Sequence, residues 1–94
     1  MNNNIIESIN SALAKNLSGN AGLGCRSALK SSEEILLIAD DGKDAVDMIN
    51  SCIRGIKHEM KFTKASSLME YQIAKINTYK DVLGMLTGEG GELV

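Results

Sequence analysis

The side chains that do most enzyme chemistry are few in this 94-residue sequence, and they form no recognisable set. His58 is the only histidine, and it lies in the charged stretch from Lys57 to Glu59, which is typical of a solvent-exposed helix surface. The two cysteines, Cys25 and Cys52, are not spaced as a CxxC pair, and one histidine does not complete a zinc-ligand set. We expect both thiols to be reduced and partly buried. A disulfide between them is the alternative in an oxidising compartment.

The acidic pairs and the glycine-rich segment also fail to match catalytic or cofactor-binding motifs. Glu33-Glu34 and Asp40-Asp41 are sequence neighbours, and neighbouring side chains on a helix diverge by about 100° rather than facing one substrate. Residues 18–24 contain three glycines, but no predicted strand precedes them and no Gly-Lys-Ser/Thr follows, as a phosphate-binding loop requires. No serine lies in a GxSxG context. We therefore predict that the protein is not an enzyme and uses no cofactor or metal.

The bulk composition favours helices that pack on other helices. The chain has no proline, only 3% aromatic residues and 44% hydrophobic residues. Without proline, long helices are not interrupted, and a core of aliphatic side chains suits helix packing better than a β-sandwich or barrel. At this length one core stabilises a fold only weakly, and association often supplies the remainder. We predict one small all-α domain over residues 1–94, with three to four helices.

Charge and hydropathy narrow the classes of partner. The formal net charge is −2 and the pI is about 5.3, so there is no basic field for nucleic-acid phosphates. The longest apolar run, residues 35–39, is far shorter than the roughly 20 residues that span a bilayer. The first residues lack the charged and apolar regions of a signal peptide. We expect a protein that binds no nucleic acid and has no membrane-spanning segment, located in the cytoplasm or exported without a cleaved signal peptide.

Apolar spacing divides the chain into four predicted helices. They cover residues 4–17, 26–41, 43–60 and 65–87, with a glycine-rich loop at 18–24 and a flexible tail at 88–94. Steps of three and four residues between apolar positions support the first, third and fourth helices. The second rests on a capping box from Ser31 to Glu34 and on the apolar run that follows. That run is interpreted as helix because the sequence contains no second strand-like segment to pair with it.

The apolar stripe changes face between Met60 and Ala65. One seam runs through positions 46, 49, 53, 56 and 60, and a second runs through positions 62, 65, 69, 73, 76 and 83. Positions that would continue the first seam hold polar residues, so the stripe rotates by about 100°, one helical residue. A helical hairpin with helices at 43–60 and 65–87 is the favoured interpretation. The alternative is one long helix whose two faces meet different partners.

The C-terminal third resembles a known family. Residues 64–66 (Lys-Ala-Ser), then Met69, then residues 78–85 (Thr-Tyr-Lys-Asp-Val-Leu-Gly-Met) resemble the end of the bacterial flagellar FliE family. They are similar, more loosely, to flagellar rod and hook proteins and to the inner-rod proteins of type III secretion systems. The resemblance covers about residues 60–86. It implies a small axial protein, exported without a cleaved signal, whose helices pack against the export gate and against each other.

The resemblance and the two seams together lead to a functional hypothesis. The protein is predicted to be a structural subunit of a homo-oligomer or larger helical assembly in a type III secretion or flagellar apparatus. Its predicted partner-binding residues are Ala65, Met69, Tyr71, Ile73, Ile76, Tyr79, Val82, Leu83 and Leu86. The same positions also suit an intramolecular helical core. The alternative function is a small helical adaptor or chaperone that binds a partner helix in a groove.

Overall fold

The computed structural model of the chain describes residues 3–89, and it confirms the all-α prediction. Four helices follow one another: α1 (Asn3–Leu13), α2 (Gly19–Ile38), α3 (Gly42–Met60) and α4 (Ser66–Thr87). Together they hold 83% of the described residues, and this part of the chain contains no strand. None of these helices is long and apolar enough to cross a membrane. Residues 90–94 of the predicted tail lie outside the described residues.

Helix α3 begins at a reciprocal cap. The Asp41 carboxylate accepts a hydrogen bond from the Asp44 backbone N–H at 2.8 Å, and the Asp44 carboxylate accepts one from the Asp40 N–H at 3.0 Å. Such caps satisfy N–H groups that have no partner inside the helix. Asp44 lies in the first turn of α3, and Lys57 and His58 lie in its last turn. The charges of Asp44 and Lys57 are opposite to the partial charges of the helix ends that they occupy, and they stabilise α3.

The helical structure is interrupted between α3 and α4, where the apolar stripe rotates. The backbone N–H of Lys61 bonds to the His58 carbonyl at 3.2 Å, and the Thr63 hydroxyl donates to the Glu59 carbonyl at 3.1 Å. Ala65 then has an extended backbone and precedes the first residue of α4. Two helices rather than one long helix therefore cover this region, and most of the second seam lies in α4.

The start of α2 requires a correction to the prediction. Residues 18–24, predicted as a loop, are helical from Gly19 onward, and the helix ends at Ile38 rather than at residue 41. Ser31 is consequently inside α2 and does not cap it. Gly19 itself has a φ of +76°, a backbone conformation that glycine adopts without steric cost.

Close packing explains why α2 continues through its glycines. A Cβ on Gly22 would lie 2.8 Å from the backbone carbon of Leu17, and one on Gly24 would collide with the backbone of Tyr71 in α4. Glycine lowers intrinsic helix propensity, but most helical stability in proteins comes from tertiary packing. Here the absence of a Cβ is what permits that packing.

Helix α1 ends at Leu13, four residues earlier than predicted. The guanidinium of Arg26 donates a hydrogen bond to the Leu13 carbonyl at 2.9 Å. This bond satisfies a carbonyl that has no partner within α1. It also ties the end of α1 to α2.

Helices α2 and α4 make the most extensive helix–helix contact and run parallel to each other. Gly24 packs against Tyr71, and further along both helices Ser31 lies beside Tyr79. Three small residues of α2, Gly24, Ala28 and Ser32, are buried and spaced four apart. Positions four apart share one helix face, and on this face Gly24 lets the backbones of α2 and α4 approach closely.

The core collects one apolar face from each helix. Its buried members are Ile5, Ile9 and Ala12 from α1, Ala28, Leu29, Ile35 and Leu36 from α2, Ala45, Ile49, Ile53 and Ile56 from α3, and Ile76, Tyr79 and Val82 from α4. Burial raises the pKa of the Tyr79 hydroxyl above its ordinary value of 10.0. The core is almost entirely aliphatic, in accordance with the scarcity of aromatic residues.

Candidate interaction surface

The nine predicted contact residues of the C-terminal region divide between the core and the surface. Ile76, Tyr79 and Val82 are buried in the core, and Leu83 and Leu86 are half-buried against it. These five side chains already pack within one chain. A partner would reach Ile76, Tyr79 or Val82 only if the bundle opened.

The other four predicted residues are more accessible. Ala65 and Ile73 are exposed, and Met69 between them is half-buried. These three are spaced four apart and therefore follow one outer side of the chain as it enters α4. Tyr71 is half-buried, and the Lys75 ammonium lies 5.3 Å from the centre of its ring, a cation–π arrangement.

Exposed large apolar side chains also lie near both ends of α3. At its start, Leu37 and Ile38 in the last turn of α2 are 67% and 69% exposed. At its end, Phe62 is 73% exposed, and Leu68 in the first turn of α4 is 47% exposed. Helix α3, with 19 residues, lies between the two pairs in the chain and is about 28 Å long, at a rise of about 1.5 Å per residue. The pairs are therefore two surfaces rather than one patch.

The sign of the charge also differs between the two ends of α3. Residues 33–47 carry six carboxylates and one cation, Lys43. Residues 54–64 carry four Lys or Arg side chains and one carboxylate, Glu59. We call residues 33–47, with the apolar pair of α2, the acidic end. Residues 54–64 together with Leu68 are the basic end.

The exposed pair in α2 was missed by the sequence analysis, although a signal was present. The apolar run at 35–39 predicts a helix, without an indication of which side chains are exposed. In the structure Ile35 and Leu36 are buried, whereas Leu37 and Ile38 are exposed. Four consecutive helical residues point in four directions about 100° apart, so they cannot all face one core.

Cys25 and His58 lie in different surroundings among the described residues. An open depression between α2 and α4 contains Cys25 and Asp81, but no histidine or lysine lines it. Burial raises the pKa of the Asp81 carboxyl. The lining contains no imidazole or amine base that would activate the Cys25 thiol. His58 is exposed, with its ring edge-on to Phe62 at a centroid distance of 5.6 Å. Within residues 3–89, no three His, Cys, Asp or Glu side chains are placed to hold a metal ion.

Both cysteines are free thiols, and each is half-buried. Partial burial agrees with the expectation from the sequence. Cys52 in α3 lies beside the Tyr79 hydroxyl, whereas Cys25 lines the depression between α2 and α4. The two thiols therefore belong to different surroundings in the bundle.

No protein-family model, curated protein or solved structure matches this chain. The geometry of the surface therefore carries the functional argument. Its distinctive features are the two apolar pairs, one at each end of α3, and the opposite charges that accompany them.

Proposed function

We propose that the chain is a structural subunit of a helical assembly, of the kind that forms the axial or inner-rod part of a type III secretion or flagellar apparatus. The observation that carries this proposal is the exposure of apolar side chains at both ends of a folded bundle. Single exposed apolar residues are ordinary in soluble proteins. Clustered ones typically mark contact sites, and two separated sites allow one subunit to contact two neighbours.

The outer side of α4 supports the same proposal. Ala65, Met69 and Ile73 follow this side without being fully covered by their own chain, and they fall within residues 60–86, which resemble axial proteins. Small and apolar side chains spaced four apart suit packing against a helix of another subunit. In this role the protein is non-enzymatic, needs no cofactor, and is exported without a cleaved signal peptide.

The experiment that tests the proposal is size-exclusion chromatography with light scattering over a wide concentration range, with circular dichroism on the same samples. We expect a helical spectrum and a mass that rises with concentration above the 10.1 kDa of one chain. The variant Ile73→Ser should shift the rise in mass to higher concentration and leave the spectrum unchanged. A helical protein that stays at the mass of one chain up to millimolar concentration would contradict the proposal.

A small helical adaptor or chaperone is the second candidate, and the outer side of α4 is the observation that favours it. Such a protein would use Met69 and Ile73 to hold one partner helix. It would remain at the mass of one chain when alone and saturate at one partner per chain. Polymer formation by the isolated chain would exclude this candidate.

A further inference from the structure

We propose that the acidic end of one copy of this chain docks on the basic end of the next copy, so that copies associate head to tail. The inference rests on the proposed function and names the partner, a second copy, and the surfaces that meet. It is argued from the charge complementarity of the two ends and from the apolar pair that each end exposes.

At the acidic end, carboxylates surround the apolar pair. Glu34 is exposed and precedes Ile38 by four residues in α2, which places its carboxylate beside that apolar side chain on the helix surface. Asp40 and the capping carboxylates of α3 follow directly. Leu37 and Ile38 are therefore an apolar contact with a negatively charged rim.

At the basic end, cations lie beside the apolar pair in place of the carboxylates. Phe62 directly follows Lys61, and Lys57 lies one helical turn before Lys61 on the surface of α3. Lys64 is in the exposed connection that leads to α4. Phe62, with Leu68 in the first turn of α4, is the apolar contact of this end. The carboxylates of Glu59 and Glu70 are fewer than the cations around them.

These two surfaces favour one pairing over the others. An apolar centre with a charged rim is the usual anatomy of a protein interface. Opposite rims attract each other, whereas a contact between two acidic ends or two basic ends places like charges together. When two copies join head to tail, each copy still has one free end, so that further copies can add to form a ring or an open filament. A small chain can build a long assembly in this way.

Charge reversal with rescue tests the inference on the full chain. The variant Glu34→Lys/Asp40→Lys/Asp47→Lys changes the net charge of residues 33–47 from −5 to +1 and leaves the capping carboxylates of Asp41 and Asp44 in place. The variant Lys57→Glu/Lys61→Glu makes the basic end negative. Each variant alone then has two ends of like charge. We expect each to associate at least about tenfold more weakly than the natural chain, measured by light scattering at low ionic strength, where charges are least screened.

An equimolar mixture of the two charge-reversed variants should associate again. In the mixture, the unaltered ends attract each other as in the natural chain, and the two altered ends also carry opposite charges. A matched control is Lys15→Glu, which reverses an exposed charge in the connection between α1 and α2, outside both ends, and should leave association within about threefold of the natural chain.

A third variant tests the apolar contact and separates association from folding. Phe62 is 73% exposed, so Phe62→Ser should leave the helical spectrum and the melting temperature unchanged while it weakens association. If association is unaffected by salt, by Phe62→Ser and by both charge reversals, the head-to-tail inference is overturned but the proposed function is not. A natural chain that stays monomeric would overturn both.

Discussion

Helices α2 and α4 approach each other closely at Gly24, and the variant Gly24→Ala tests that contact. An added Cβ would collide with the carbonyl oxygen of Tyr71 and lie 3.1 Å from the Cβ of Ala74. Ordinary Cβ contacts are 3.4 Å or longer. The carbonyl belongs to a helical backbone rather than to a flexible side chain. One of the two helices must therefore shift to accommodate a single methyl group.

Two opposing effects set the size of the change. Overpacking a core costs about 1–3 kcal/mol, and replacing glycine by alanine inside a helix gains about 1 kcal/mol. The obstacle is backbone, so the upper part of the overpacking range applies. We expect Gly24→Ala to lower the free energy of unfolding by about 1–2 kcal/mol. Each kcal/mol corresponds to about 4–8 °C in Tm for a domain of this size.

Gly55→Ala is the matched control. Gly55 lies inside α3, and a Cβ there would meet nothing within 4 Å. The same substitution should therefore raise the free energy of unfolding by about 0.5–1 kcal/mol, through helix propensity alone. Urea unfolding followed by circular dichroism at low protein concentration measures both variants. If Gly24→Ala stabilises the protein as much as Gly55→Ala does, the close contact of α2 with α4 does not exist.

Three further predictions address the cap, the core and the pH dependence. Asp41→Ala removes a cap bond of 2.8 Å and should cost about 1 kcal/mol in urea unfolding, whereas Ser18→Ala, at a position without a side-chain cap bond, should cost clearly less. Ile76 is 7% exposed, and Ile76→Ala should lower the free energy of unfolding by about 2–5 kcal/mol. Ile73 is 45% exposed, and Ile73→Ala should change it by less than about 0.5 kcal/mol. Equal changes in the two variants would contradict the burial of Ile76 in the core. Burial raises the pKa of Tyr79 above 10.0, so the unfolded chain loses this proton first and stability falls as the pH rises above about 10. Tyr79→Phe should lack that part of the decline in unfolding experiments between about pH 9 and 11, and an identical decline in both proteins would refute the assignment.

The second half of the fold could be predicted from local sequence patterns. The apolar spacing of residues 46–60 and the acidic residues before them predict α3 to within one residue of its observed bounds. The rotation of the apolar stripe predicts the break before α4. These signals are local, because a helix face and a helix cap are each defined within a few consecutive residues.

The first half depended on contacts that are distant in sequence. Three glycines in residues 18–24 predict a loop by local propensity. The segment is helical because Gly24 packs against Tyr71, 47 positions further along the chain. Nothing near Gly24 in the sequence indicates which helix will lie against it. The prediction therefore failed where tertiary packing outweighed propensity.

The candidate surface was also only partly readable from the sequence. The excess of carboxylates in residues 33–47 and of cations in residues 54–64 is present in the sequence. The structure adds that α3 holds these groups at opposite ends and that Leu37, Ile38 and Phe62 are exposed beside them. It also places Ile76 and Val82, predicted as partner contacts, inside the core.

The sequence by itself determined the all-α class, the two C-terminal helices and the sign of the charge along the chain, because each follows from composition or from spacing within one element. Only the tertiary structure decided which apolar side chains remain exposed. An apolar stripe records that a helix buries one face, but whether its own chain or another copy covers that face depends on how the four helices pack. In this packing, α2 and α4 lie against each other in parallel. An apolar pair remains exposed at each end of α3.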